Sequence, residues 1–154
     1  MIALRVYRGI AEHFPMRVSE WLMLWPTVGM GLAFKLQPEM FQASPSFAQV
    51  AQWADQQTWA AVVLACAIVR LVALVVNGTF GAFRFSPHFR AAASLVGVAF
   101  WTQYCLGFTL TAIYSGGAWS AVVAYSAFAL LEIINVSRSV HDVRRVREAG
   151  CKNG

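Results

Sequence analysis

Four stretches of predominantly apolar residues constrain this chain more than any other feature of its sequence. They cover about residues 18–36, 58–76, 91–113 and 118–136. A helix needs roughly 20 apolar residues to cross the hydrocarbon core of a bilayer. With 58% hydrophobic and only 12% charged residues in 154, the composition is not that of an ordinary soluble domain. The sequence therefore predicts an integral membrane protein with four spans, forming one membrane domain over residues 1–154.

The pattern inside these stretches favours helices over strands. In the segment WAAVVLACAIV, residues 59–69, nearly every position is apolar, whereas a transmembrane strand alternates apolar and polar positions. A helix also satisfies its own backbone hydrogen bonds in lipid. The predicted fold class is all-α, an integral membrane four-helix bundle.

The distribution of basic residues predicts the orientation of the bundle. Loops and ends with an excess of arginine and lysine stay in the cytoplasm, and here only Lys35 marks the opposite side. We therefore expect both termini and the middle loop to be cytoplasmic, with residues 137–154 as a basic cytoplasmic tail. The basic residues on the cytoplasmic side are Arg5, Arg8, Arg17, Arg84, Arg90, Arg138, Arg144, Arg145, Arg147 and Lys152.

Two further segments are expected to form short helices at the membrane surface. Near the N-terminus, apolar residues recur every fourth position over residues 2–14, which is typical of an amphipathic helix. Between the first two spans, Ser44 is a suitable cap and Pro45 suits a first helical position. The apolar residues that would then share a face are Phe47, Val50, Ala51 and Ala54.

A single arginine, Arg70, interrupts the second apolar stretch. The span ends near residue 76, so Arg70 lies roughly 9 Å from the cytoplasmic boundary at 1.5 Å per residue. Glu132 lies at a similar depth in the fourth span. An unpaired arginine at a helix centre costs about 2.5 to 3.5 kcal/mol on insertion scales. We therefore expect Arg70 and Glu132 to form an ion pair.

Other polar residues lie near this layer and are expected to join the pair in one intramembrane cluster. They are Glu20, Asn77, Asn135 and, near the bilayer centre, Gln103. One interpretation is that the cluster only fastens the helices, which have no hydrophobic driving force between them in lipid. The other is that Glu132 binds a proton or an ion, or that Arg70 acts as a gate or an anion site. A single strongly polar residue near the bilayer centre, Gln103, does not favour a continuous ion path through one copy of the chain.

The sequence contains no grouping that predicts catalysis or cofactor binding. The three histidines fall at boundaries and not in span centres, and the cysteines have no CxxC spacing. We expect no enzyme activity, no cofactor and no metal. The net charge of +5 follows from the topology and does not argue for nucleic acid. The residues predicted to contact anionic lipid headgroups are Arg138, Arg144, Arg145 and Arg147.

Over about residues 60–149 the chain resembles small four-span membrane proteins encoded by tailed bacteriophages and prophages. The shared pattern is an arginine-led apolar run ending in Asn-Gly, a proline and arginine at the start of span three, a tryptophan within it, and an acidic residue, asparagine and arginine leading into the tail. The acidic position is often aspartate in that group and is a glutamate here. The matching residues are Arg70, Asn77, Gly78, Pro87, Arg90, Trp101, Glu132, Asn135, Arg138 and Asp142.

The resemblance implies a location in the inner membrane of a bacterial host and three alternative functions. The first is a non-lytic exclusion or host-modifying factor that binds the host membrane or a host membrane protein. The second is a holin-like protein that oligomerises and permeabilises the membrane for lysis. The third is a small channel or transporter that uses Glu132 and Arg70. The expected partners are the lipid bilayer and either further copies of the chain or a host membrane protein.

Overall fold

Four long helices dominate the protein. A computed structural model describes residues 4, 7, 8, 10, 11, 14–79 and 85–152, and for 77–79 and 149–152 it describes the backbone alone. Within these residues the chain is helical and contains no strand. The long helices are α1 (Val18–Leu36), α2 (Gln56–Thr79), α3 (Ser86–Ser115) and α4 (Trp119–Lys152). Three short helical turns, Met40–Ala43, Pro45–Phe47 and Ala48–Ala51, connect α1 to α2.

Among the described residues, three of the long helices have the length and apolar composition needed to cross a membrane. They are α2 over Gln56–Val76, the whole of α3, and α4 over Trp119–Glu148. Helix α1 is not among them, because Glu20 and Lys35 lower the apolar character of its 19 residues. Length and composition thus support a membrane protein with three candidate spans, and they leave the placement of α1 open.

Consecutive long helices run in opposite directions. Ser19, at the start of α1, donates a hydrogen bond to Asn135 at the middle of α4 (2.6 Å). Ser86, at the start of α3, donates to a backbone carbonyl late in α2 (3.0 Å). At the other end, Gln56 begins α2 and donates to the carbonyl oxygen of Phe34 near the end of α1 (2.8 Å). The start of α1, the later part of α2, the start of α3 and the middle of α4 therefore lie together.

The opposite end of the bundle is filled by aromatic rings. Phe47, from the turn Pro45–Phe47, packs edge-on against Tyr104 of α3 and against Phe34 of α1. Val50 is fully buried beside them. The segment predicted as one surface helix between the first two spans is instead divided into short helical turns, and two of its apolar side chains, Phe47 and Val50, are buried in the bundle while Ala51 is exposed. Ser44 and Pro45 do precede and begin the second of these turns, Pro45–Phe47, but Ser44 makes no side-chain capping hydrogen bond.

Described residues near both ends of the chain are helical. Residues 4, 7, 8, 10 and 11 are helical, and Phe14 lies in a turn. The repeat that predicted an N-terminal helix also depends on residues 2 and 6, which lie outside the described residues. The segment predicted as a basic tail continues α4 without a break to Lys152, because no proline and no glycine before Gly150 interrupts it. Gly116 ends α3 in a left-handed conformation (φ 70°) that favours glycine.

Candidate functional site: two buried ion pairs

Charged side chains lie inside the bundle and large apolar side chains cover its outside. Arg70, Arg90, Glu20 and Glu132 are each no more than 3% exposed, while Trp25 on α1 is 83% exposed. In water this distribution is unfavourable, because charged residues are almost never fully buried unless paired. In lipid it is the expected one, since intramembrane charges face the bundle interior and pair with one another.

The first buried pair joins α2 to α4 and is the pair that the sequence predicts. Arg70 Nη1 lies 2.6 Å from Glu132 Oε1, and Arg70 Nη2 donates to Glu132 Oε2 at 2.7 Å. The guanidinium and the carboxylate thus approach each other at two pairs of atoms, of which Nη2 and Oε2 form a charge-assisted hydrogen bond. Nη2 also donates to Ser94 Oγ of α3 at 3.2 Å. Three helices therefore meet at Arg70.

The backbone of α3 makes room for this pair at Gly97. A Cβ atom at position 97 would lie 2.6 Å from Glu132 Oε1 and 2.7 Å from its carboxyl carbon. A side chain of any size would therefore displace the carboxylate from Arg70. The cavity beside the pair has a volume of only about 10 Å³, which is room for about one water molecule. The pair is tightly enclosed.

Hydrogen bonds extend this pair toward the end of the bundle. Asn135 Nδ2 donates to Glu132 Oε2 at 3.4 Å, and Asn135 Oδ1 accepts from Ser19 Oγ of α1 at 2.6 Å. Arg138 Nη1 in turn donates to Ser19 Oγ at 3.1 Å. Through these contacts α1 is fastened to the same layer as α2, α3 and α4.

The second buried pair joins α3 to α1 nearer the end of the bundle. Arg90 Nε donates to Glu20 Oε2 at 2.7 Å, and Arg90 Nη2 forms a very short contact with Glu20 Oε1. Arg90 Nη1 also donates to Asp142 Oδ2 of α4 at 3.0 Å, and Arg17 Nη2 lies 3.7 Å from the same oxygen. Burial and the nearby Arg90 guanidinium lower the pKa of Arg17. We refer to the part of the bundle that holds both pairs as the polar end.

The structure changes the membership of the predicted cluster. Asn135 belongs to it, but Glu20 binds Arg90 and not the Arg70 pair. Gln103 lies nine residues after Ser94 on α3, about 13 Å further along the helix axis and thus at a different depth from the Arg70 pair. The side chain of Asn77 lies outside the described side chains. The four arginines predicted to contact headgroups are exposed in the last part of α4.

Sequence reasoning missed the partner of Glu20. In the sequence prediction Arg90 serves only as a basic residue that indicates the orientation of the bundle, although it lies one turn after the start of α3. Glu20 follows the start of α1 by less than one turn, and both starts were predicted to lie on the cytoplasmic side. The depth comparison that pairs Arg70 with Glu132 would therefore also have paired Arg90 with Glu20. No sequence signal marks Ser19 or Ser94, which are found only through the packing of the helices.

The chemistry available at this site is charge pairing and hydrogen bonding. Among the described residues, no three histidine, cysteine, aspartate or glutamate side chains cluster as a metal site requires. Deeper in the bundle, Trp101 Nε1 and Tyr104 Oη are buried without a hydrogen-bond partner. Comparison with protein-family models, with curated proteins and with solved structures finds no match to this chain.

Proposed function

We propose that the chain is a four-pass membrane protein of phage or prophage type that resides in the bacterial inner membrane and acts by binding a host membrane partner. In this proposal it is a non-lytic exclusion or host-modifying factor. It performs no catalysis and conducts no ions through a single copy.

The enclosed state of the Arg70 pair is the observation that favours this proposal over the channel alternative. A conducting site needs water or a mobile ion beside its charged groups, whereas the cavity here holds about one water molecule. Glu132 accepts hydrogen bonds from Arg70 and Asn135, so its carboxylate already takes part in contacts that hold the helices together. A proton or ion path through this layer would require these bonds to break. The fastening interpretation of the cluster is therefore favoured over the channel.

The second pair supports α1 as the fourth span. Glu20 is one of the two charges that lower the apolar character of α1, and Arg90 neutralises it inside the bundle. The lipid-facing surface of α1 then carries Trp25 and its apolar neighbours. With 19 residues, α1 is about 28 Å long, close to the hydrocarbon thickness of about 30 Å. An even number of spans agrees with cytoplasmic placement of both basic ends.

A topology experiment tests the four-pass proposal. Reporter domains that are active only in the cytoplasm or only in the periplasm are fused before residue 1 and, separately, inserted near residue 38, so that the two sites flank α1. We expect cytoplasmic activity at the first site and periplasmic activity at the second. The same signal at both sites would contradict a membrane-spanning α1.

The functional proposal is tested by inducible expression in a bacterial host. Membrane potential and dye entry are recorded with and without a cytoplasmic peptidoglycan hydrolase, and the cells are then challenged with phages. We expect intact potential together with reduced phage infection. A matched control expresses the Glu132→Ala/Arg70→Ala variant at the same membrane level, to separate specific action from overproduction of an apolar protein.

Two results would contradict the proposal. Abrupt depolarisation at a reproducible time, with lysis only when the hydrolase is present, would support the holin-like alternative. Unchanged infection by every phage tested, at a membrane level that leaves growth intact, would remove the exclusion role.

A further inference from the structure

An open cationic cleft lies at the polar end, with the Arg90–Glu20 pair in its wall. It has a volume of about 570 Å³ and is bounded by the residues before α1, by the start of α3 and by α4. Four guanidinium groups and two carboxylates line it, which leaves an excess of two positive charges. These residues are Arg17, Arg90, Arg138, Arg145, Glu20 and Asp142.

The excess positive charge is concentrated at the rim of the cleft. Arg90, on the floor, is neutralised by Glu20 and also contacts Asp142. Arg138 donates to the neutral hydroxyl of Ser19, which does not offset its charge. Arg145 is exposed on the same side. An incoming anion can thus reach the guanidinium groups of Arg138 and Arg145 at the rim. Their N–H donors are arranged in pairs that suit the oxygens of a phosphate.

The spacing of residues along α4 shows that the cleft is built on one helix face. Arg138, Asp142 and Arg145 follow the i, i+4, i+7 spacing that places side chains on one side of a helix. Arg144 and Arg147 lie on the other side of α4 and do not line the cleft. The basic residues of this segment therefore form two sets, of which only one faces the bundle.

An apolar groove begins one turn beyond the cleft. Trp21 follows Arg17 by four residues and so lies on the same face of α1. From Trp21 a groove of about 480 Å³ runs between α1 and α2, and Trp25, Leu64 and Ile68 are among its lining residues. A cationic cleft next to an apolar groove at the edge of a bilayer matches the two parts of a phospholipid.

We propose that the cleft binds the phosphate group of an anionic phospholipid, with an acyl chain of the same molecule in the groove between α1 and α2. Basic pockets between helices on the cytoplasmic side are suited to such headgroups. This inference rests on the proposed membrane location but not on the exclusion role.

The test compares two arginine pairs on α4 that carry the same charge. Protein purified in an uncharged detergent is titrated with phosphatidylglycerol, with phosphatidylcholine and with inorganic phosphate, and bound molecules are counted by native mass spectrometry. The cleft variant is Arg138→Gln with Arg145→Gln, and the matched control is Arg144→Gln with Arg147→Gln. We expect one tightly bound phosphatidylglycerol, weakened at least about tenfold in the cleft variant and less than about threefold in the control.

Because Arg138 also bonds Ser19, the single variant Arg145→Gln provides a measurement that leaves this contact intact. It is expected to lower phosphatidylglycerol affinity by about threefold or more. Equal losses in the cleft and control variants would show diffuse attraction and overturn the proposal. Inorganic phosphate that binds as tightly as the lipid would overturn the role of the groove. Protein that is recovered in the membrane fraction but binds no phosphatidylglycerol would refute this site alone.

Discussion

The two ends of the bundle are held together by different means. At the polar end, Arg70, Glu132, Arg90 and Glu20 form discrete pairs with defined partners. At the other end, which we call the aromatic end, rings fill space around Tyr104, and the hydrogen bonds of the buried Gln56 side chain go to backbone groups and not to a charged partner. In lipid, helices associate through close packing and polar bonds because apolar burial gives no preference for protein over lipid. The polar end therefore specifies which helices meet, and the aromatic end supplies contact area.

The largest expected effect comes from breaking the Arg70 pair. Arg70→Ala leaves the Glu132 carboxylate buried without its partner and should lower the free energy of unfolding by about 3 to 5 kcal/mol. Adding Glu132→Gln removes that orphaned charge and should restore part of the loss. Unfolding in mixed detergent micelles measures all members of the double-mutant cycle, with Arg144→Ala as an exposed control. Strictly additive losses would contradict the pair.

A smaller loss is expected when the space beside the pair is filled. Gly97→Ala places a Cβ atom against the Glu132 carboxylate, and overpacking of this kind costs about 1 to 3 kcal/mol. Gly29→Ala is the matched control, because a Cβ atom there meets nothing within 4 Å. Its unfolding free energy should stay the same or rise, since alanine is the better helix former. Equal behaviour of the two variants would show that Glu132 can move freely.

At the aromatic end, removal of a polar atom should be harmless. The Tyr104 hydroxyl is buried without a hydrogen-bond partner, and leaving such a group unpaired costs about 1 to 3 kcal/mol. Tyr104→Phe keeps the ring and should leave the free energy of unfolding unchanged or raise it by about 1 kcal/mol. Tyr125→Phe, in the same ring cluster, serves as the comparison. A clear loss for Tyr104→Phe would reveal an internal water that the hydroxyl holds.

The smallest effect concerns the cap of α2. Asp55 accepts hydrogen bonds from Thr58 N (2.7 Å) and Thr58 Oγ1 (3.1 Å), and these bonds lower the pKa of its carboxyl group. A lowered pKa means that the carboxylate stabilises the fold above its ordinary pKa of about 3.9, and that this contribution disappears as pH falls through the folded value. The stability difference between the wild type and Asp55→Asn should therefore shrink in acid. A difference that is constant down to pH 2 would contradict the cap.

The sequence predicts the helices well and their connections poorly. Apolar length alone locates α1 to within its observed bounds and places the cores of α2 and α3, because a span is a local property of the chain. The burial of Phe47 could not be predicted, since it depends on a space between α1 and α3 that exists only after they pack. For the same reason a local pattern predicts a surface helix where the structure has short turns that bury Phe47 and Val50.

Within the candidate site, depth could be predicted from sequence and lateral neighbours could not. The sequence predicts the Arg70–Glu132 pair because both residues lie a few positions from the predicted cytoplasmic ends of their spans. Polarity alone suggests Gln103 as a member of the cluster, although its depth separates it from the pair. Ser19 and Ser94 carry no sequence signal for their roles, since a serine in a helix also satisfies itself on its own backbone. Pairing between helices thus depends on the depth of each residue and on the direction in which its side chain points around the helix axis. Only the depth can be counted along a sequence.

The unbroken length of α4 has a mechanical consequence. Its 34 residues form a rod of about 51 Å, so roughly 20 Å extends beyond a hydrocarbon layer of about 30 Å. Asp142 ties the base of that projecting part to Arg90. If the membrane surface is the pivot, a tilt of α4 inside the bilayer would move the projecting tip in the opposite direction, by about two thirds of the displacement at the buried end. Movement of the bundle would then be transmitted to the cytoplasmic part of α4.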